Sequence, residues 1–276
     1  MSISSKANIG VNVTFGEYPV VEDDVVIGDK VTVGHHVIIH SGVRIGDGCV
    51  INDGAILGKR PGKASLSATT GDPREYPPLS IGKAVTVGAG CILYVGAEIG
   101  DMVFFGDLAT VREDVKIGEY SIIGRGATVE NKVTIGRKCK IETEAYITAF
   151  SIIEDYCFIA PCVAFTNDNF LGRTEERKKH FGGPTLKRGA RIGANATILP
   201  NLVIGEDSVV AAGSVVTKDV PARMIVLGSP AKVLRPVPEE QLIANQIFYD
   251  KRNLHRREDF LWENLNPDPG PNLLTT

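Results

Sequence analysis

Side chains able to do acid–base, nucleophilic or metal chemistry are sparse in this chain of 276 residues, and their spacing limits what they can do. The five cysteines show no CxxC or CxxH spacing, so they offer neither a disulfide framework nor a zinc site. His35, His36 and His40 cluster near the start, while His180 stands in the charged run Arg-Thr-Glu-Glu-Arg-Lys-Lys-His. Asn167 and Asp168 adjoin a break in the sequence pattern, where loop-borne polar residues tend to be functional. A carboxylate beside an amide orients an amine or hydroxyl by hydrogen bonds, and the carboxylate also favours an arriving ammonium. The remaining chemistry depends on which elements carry these residues.

Those elements follow a period of six. Val21, Ile27, Val33, Ile39, Ile45, Ile51 and Leu57 are spaced by six, and the count resumes from Ile81 to Phe165 and again from Leu186 to Val216. Most of these 28 hexads also carry Val, Ala, Cys or Ser at the fifth position, with Pro61, Asn169 and Leu202 as exceptions. One large and one small apolar group turned inward per hexad suits a short strand followed by a tight corner, three sides closing a triangular coil. An α-helix fails, because positions six apart fall about 120° out of step with an apolar stripe. Corners need left-handed backbone, which fits Gly46-Asp47-Gly48, Asn52-Asp53-Gly54 and Gly124-Arg125-Gly126. A narrow core explains why aromatics make up only 7% of the chain while glycine reaches 30 residues. Cys49, Cys91, Cys139 and Cys157 occupy the fifth position as small core fillers, and Cys162 falls one place earlier, at a corner.

The period predicts an all-β solenoid of about nine coils. Residues 1–20 form an N-terminal cap, 21–220 the parallel β-helix, 221–236 an extension, 237–265 a C-terminal α-helix and 266–276 a flexible tail. Two segments, 58–80 and 170–185, leave the coil as extruded loops, and excursions of this length in a regular solenoid are usually functional. A net charge of −3 at pH 7 favours neither nucleic-acid nor membrane-surface binding, and neither partner is expected. The start lacks an apolar leader and no stretch approaches the ~18 apolar residues of a membrane span, so a cytoplasmic location is expected.

Three strings carry a family resemblance: Val163-Ala-Phe-Thr-Asn-Asp168, Ile192-Gly-Ala-Asn-Ala-Thr-Ile-Leu-Pro200, and Ala211-Ala-Gly-Ser-Val-Val-Thr-Lys-Asp-Val-Pro221 leading to Gly228-Ser-Pro-Ala-Lys-Val-Leu-Arg235. Together they resemble the hexapeptide-repeat, left-handed β-helix acyltransferases, in particular the branch that N-acetylates nucleotide-linked amino sugars, such as dTDP-3-amino-3,6-dideoxyhexoses. The resemblance implies a homotrimer, acetyl-CoA as co-substrate, no metal, and a role in lipopolysaccharide or other surface glycan biosynthesis. It places the pantetheine arm along small outward residues, Ala194, Ala211, Ala212 and Gly213, and the nucleotide phosphates of CoA at Lys232 and Arg235. Sugar O-acetyltransferases of this architecture carry a histidine where this chain has Asn167-Asp168. An alcohol needs a base as it attacks, whereas a deprotonated amine attacks a thioester unaided. Asn167 and Asp168 are thus expected to orient a sugar amine, the proton passing to water or to the departing thiolate, whose pKa is about 8.5. Glu142, in a hexad that begins 24 residues before that of Asp168, is expected to point outward and meet a neighbour's Asp168 in a trimer.

Rival readings are a sugar O-acyltransferase using His180 as base, a γ-class carbonic anhydrase, and a non-catalytic trimeric scaffold. Against the carbonic anhydrase, His36 and His40 are four apart with no distant partner in any coil. The early histidines also lie about six coils, roughly 30 Å, from Asp168. Lys59, Arg60, Lys63 and Arg74 make the first excursion a candidate for the diphosphate of a nucleotide sugar.

Overall fold

A computed structural model describes residues 2–62 and 74–246. Residues Met1–Pro236 form one compact unit and Val237–Thr276 a second. The first unit is a parallel β-solenoid whose three faces are sheets of 11, 10 and 12 strands, mostly two residues long. Successive strands move to the next face, and each pairs in parallel with a strand 18 residues on, as Thr86 and Val87 do with Phe104 and Phe105. The face starting at Ser2–Ile3 is called the first, that at Asn8–Ile9 the second and that at Thr14–Phe15 the third. The edge that follows each face takes its number.

The repeat explains this architecture residue by residue. The large inward position is fully buried at Ile39, Ile51, Leu57, Leu93, Phe105 and Ile141, and the fifth position at Val25, Cys49, Ala55 and Ala127. Cys49, Cys91, Cys139 and Cys157 are buried and Cys162 is exposed at a corner, as the phase predicts. Burial pushes the Cys49 and Cys91 thiols up to about 11, so they behave as apolar fillers. Backbone N–H groups bond from coil to coil, and corner aspartates extend this ladder. Asp29, Asp47, Asp53, Asp101, Asp107 and Asp155 each accept the corner N–H of the coil before, at 2.7 to 3.1 Å.

The structure corrects three expectations. First, the coil begins at Ser2, because Ile3, Ile9 and Phe15 continue the phase and their strands pair with those of the next coil, so residues 1–20 are not a separate cap. Second, left-handed corners are held by Tyr18, Lys30, Met102, Leu108 and Tyr156 as well as by glycine. The coil-to-coil bonds outweigh the ~1–2 kcal/mol that such a conformation costs an ordinary residue. Third, the described start of the expected C-terminal helix is two short 3₁₀ turns, Glu239–Gln241 and Ile243–Asn245. Leu242 is extended between them, and the Asn245 and Gln246 side-chain amides take the carbonyls of Glu239 and Glu240. The rest of that helix and the tail, 247–276, lie outside the described residues.

Both excursions leave from the first edge. The first follows Ile56–Lys59 and rejoins at Ser80–Ile81; the second follows Ala164–Phe165, contains a 3₁₀ turn at Glu175–Lys179 and rejoins at Thr185–Leu186. Neither disturbs the stacking, since Leu57 pairs with Leu93 and Ile153 with Leu186. Past the last coil, Met224–Gly228 extends the third face and turns back as Ala231–Pro236, an antiparallel hairpin.

Candidate active site

Asp168 stands at a corner of the first edge, where the second excursion begins. Its Oδ1 accepts the Phe170 N–H and its Oδ2 the Gly172 N–H, both at 2.8 Å, and Arg177 Nη1 lies 3.6 Å from Oδ2. Desolvation opposes the charge, but the Gly172 and Phe170 amides and Arg177 together hold the carboxyl below the usual carboxylate range. Asp168 therefore organises its own loop. The Asn167 carbonyl accepts the Gly182 N–H at 3.4 Å and Asn201 Nδ2 donates to the His180 carbonyl at 2.9 Å, tying the returning strand to the same edge.

Glu142 lies on the third edge, so within one chain it does not join Asp168. It shares that edge with Ala194 and with Ala211, Ala212 and Gly213, which stack one coil apart through a 2.8 Å bond from the Gly213 N–H to the Ala194 carbonyl. The clearance is tight: a Cβ on Gly193 would sit 2.5 Å from the Ala212 nitrogen. This small-residue corner leads to the hairpin, where the Ala211 N–H bonds to the Val226 carbonyl. Lys232 pairs with Leu227 and Arg235 with Ile225, the register shifting between Ile225 and Val226. That shift puts Lys232 and Arg235 on one face of the hairpin although they are three apart in sequence. Both are exposed.

Sequence reasoning missed a second group on the first edge. Over the four coils between the excursions the corner residues Val95, Glu113, Asn131 and Ala149 are only 1% to 5% exposed. At the corresponding positions of the other two edges every described residue is partly or fully exposed. Arg112 donates to both oxygens of Glu113, from Nε at 2.9 Å and Nη2 at 3.1 Å, and reaches Glu130 from Nη1 at 3.3 Å. Burial works against the Arg112 cation, but Glu113 first and Glu130 next raise its pKa above the ordinary value. Tyr94 lies under two cations, Arg112 at 5.2 Å and Lys59 at 5.5 Å from its ring centroid. Tyr146, on the coil next to Glu130, has its phenol raised by burial and by the Glu130 charge. In sequence these residues look like ordinary corner charges; only burial sets them apart.

Arg74 bonds to Asp114 and stacks on Tyr76, Arg60 lies 4.0 Å from Glu75, and Lys63 falls outside the described residues. His180 Nε2 is 3.3 Å from Glu176 and its ring stacks on Phe170. His40 bonds to Glu22 at 3.1 Å, and the His35 Nδ1 accepts the Glu17 N–H at 3.0 Å, so both serve early coils. Among the described residues no group of His, Cys, Asp or Glu is arranged to hold a metal ion.

The six-residue repeat that builds this solenoid matches known transferase repeat patterns. The bacterial transferase hexapeptide pattern (six repeats) matches residues 24–59, 96–131 and 183–218, and the hexapeptide repeat of succinyl-transferase matches 78–104 and 114–149. The chain belongs to this hexapeptide-repeat transferase family. It is 52% identical over 61 residues to 2,3,4,5-tetrahydropyridine-2,6-dicarboxylate N-acetyltransferase of Clostridium perfringens, 22% of this chain and 26% of that one. It is 31% identical over 168 residues to serine acetyltransferase 2 of Arabidopsis thaliana, 61% of this chain and 39% of that one. The chain thus spans well under half the length of these curated relatives. The fold matches an Arabidopsis UDP-N-acetylglucosamine acyltransferase at TM-score 0.51 and 18% identity, covering 99% of this chain and 84% of that one.

Proposed function

We propose that this protein transfers acetyl from acetyl-CoA to the amino group of a nucleotide-linked amino deoxysugar, as a homotrimer. The observation that carries the donor half is the continuity of the third edge. A corner of small residues, Ala194 and Ala211 to Gly213, runs to a hairpin whose shifted register turns Lys232 and Arg235 the same way. A slender pantetheine arm fits beside such a corner, and two cations beyond it suit the phosphates of CoA. Glu142 lies on the same edge, two coils nearer the N-terminus than Ala194, which suits a place near the acyl end.

The acceptor half rests on the first edge. Among the described residues the coils between the excursions carry no histidine, which favours an amine that attacks unaided over a hydroxyl that needs a base. The Clostridium relative is an N-acetyltransferase and supports the same direction. Asn167 lies at the upper end of this edge and is a candidate contact to the acceptor, while Asp168 acts by ordering the excursion above it. Among the described residues no helix is long and apolar enough to cross a membrane.

Calorimetry with acetyl-CoA, followed by thiol release with a panel of dTDP- and UDP-linked amino deoxysugars, tests this reading. Binding of acetyl-CoA that weakens about tenfold or more on Lys232→Ala plus Arg235→Ala is expected. No binding by the intact protein would leave the solenoid a scaffold.

A further inference from the structure

The four coils between the excursions bury something a solenoid corner has no structural need to bury. At the equivalent corner position of the other two edges every described residue is at least partly exposed, yet here Glu113 is 2% exposed and depends on Arg112 for its charge. Removing a carboxylate from water is costly unless it is paired, and Arg112 supplies that pairing with two bonds. Glu130 is left with the longest of the three contacts, 3.3 Å, from the one remaining guanidinium arm.

One guanidinium thus serves two carboxylates. The Arg112–Glu113 pair closes as a neutral unit, and Glu130 keeps a surplus negative charge in a partly desolvated place. Tyr146 stands on the neighbouring coil beside Glu130, and its phenol is pushed up by burial first and by the Glu130 charge next. Arg112 and Lys59 flank Tyr94 on the other side, so cations already stand toward the first excursion and the uncompensated charge faces away from it. A fixed carboxylate of this kind, largely screened from water, favours an organic ammonium over a neutral hydroxyl at the same point.

We propose that Glu130, held by Arg112 and beside Tyr146, is the specificity-determining residue that receives the ammonium form of the acceptor amine. Glu113 is the positioning residue that fixes Arg112. The inference rests on the amine reading above and deepens it: the charge that selects the substrate is on the first edge, three coils beyond Lys59 and two coils before Asp168. No bond to the substrate is made or broken by Glu130; it binds and orients the ammonium, which loses its proton to water before attack.

The test is a binding comparison. With CoA present, calorimetry measures the amino sugar that the panel shows to be turned over, and its counterpart with hydroxyl in place of the amine, on wild type, Glu130→Gln and Glu130→Asp. Wild type is expected to prefer the amine by about tenfold or more, Glu130→Gln to lose that preference, and Glu130→Asp to keep most of it. The KM for acetyl-CoA stays within about twofold in all three, because the donor lies on another edge. Thermal midpoints and circular dichroism confirm folding, and the Asp variant separates loss of charge from loss of packing. If Glu130→Gln keeps the full preference while wild type acetylates the amine, this inference fails and the amine reading stands. If wild type acetylates only the hydroxyl sugars, both fail together.

Discussion

Asp168 accepts the Phe170 and Gly172 amides on separate oxygens and faces Arg177, so its charge is spent on the shape of the second excursion. Its carboxyl is held below the ordinary value, so the native state binds fewer protons than the unfolded one. The stabilisation is therefore fully present above the unfolded carboxylate pKa, about 3.9, and is lost as pH falls through the lowered native value. Asp168→Ala is expected to open the excursion while the coils persist. Trypsin should cut at Arg173 to Lys179 several-fold faster than in wild type, with the thermal midpoint changed by less than about 3 °C. An unchanged cleavage rate would show that the two amide bonds do not hold the loop. The sequence singled out Asp168 because a polar pair at a broken repeat marks a loop root, and that much was legible. Which way its oxygens turn depends on the left-handed backbone at Leu171 and Gly172, which no spacing rule supplies. Glu113 and Glu130 were illegible for a related reason: a corner charge is unremarkable until burial distinguishes it.

At the scale of the repeat, glycine does two different jobs that look alike in sequence. In Gly46-Asp47-Gly48, a Cβ on Gly46 would lie 2.5 Å from the Gly82 carbonyl oxygen of the next coil, whereas one on Gly48 meets nothing within 4 Å. Gly48 is there for its φ of +68°, a conformation that Lys30 one coil earlier adopts with a full side chain. Gly46→Ala is expected to destabilise by about 2–3 kcal/mol, through forced separation of two coils. Gly48→Ala should cost only about 1 kcal/mol. Denaturant melts of the two variants would rank them, and equal midpoints would remove the clearance argument. The six-residue phase was legible because every coil repeats the same packing problem. The first coil was harder to see as a coil because Ile3, Ile9 and Phe15 are covered from one side and remain partly exposed. The turns at 239–245 were misread as helix because Pro and acids suit a helix start equally well, and only the side-chain amides of Asn245 and Gln246 decide against it.

For the whole molecule, the outward strand positions divide the prism. The second face presents Arg44, Ser80, Glu98, Lys116 and Thr134, with Lys116 paired to Glu98 at 3.0 Å, as a solvated sheet would. The third face presents Val50, Phe104, Ile122 and Phe158, interrupted by Thr32, Thr86, Lys140 and Arg191, and the first Val20, Ile38, Ile56, Ile92 and Tyr146 with Thr110 and Thr128. Phe104 is 47% and Phe158 36% exposed, and three coils separate them along one face. Apolar surface of that extent on two adjoining faces suits burial against further copies of the chain. Such packing would set the small-residue third edge between neighbours and leave the first edge, with Glu130, at the rim where the apolar face meets the polar one. Light scattering should give three times the 29.6 kDa chain mass. Phe104→Glu with Phe158→Glu should return a monomer, because each buried carboxylate would go unpaired in the contact. Ile152→Glu is the control, since Ile152 is 48% exposed but stands on the second face. That variant should remain trimeric and active, while the double variant should lose acetyl transfer together with assembly, because the donor edge is then open to water on its far side. A monomeric wild type, or a double variant that stays trimeric, would move the interface elsewhere and with it the path drawn for the pantetheine arm.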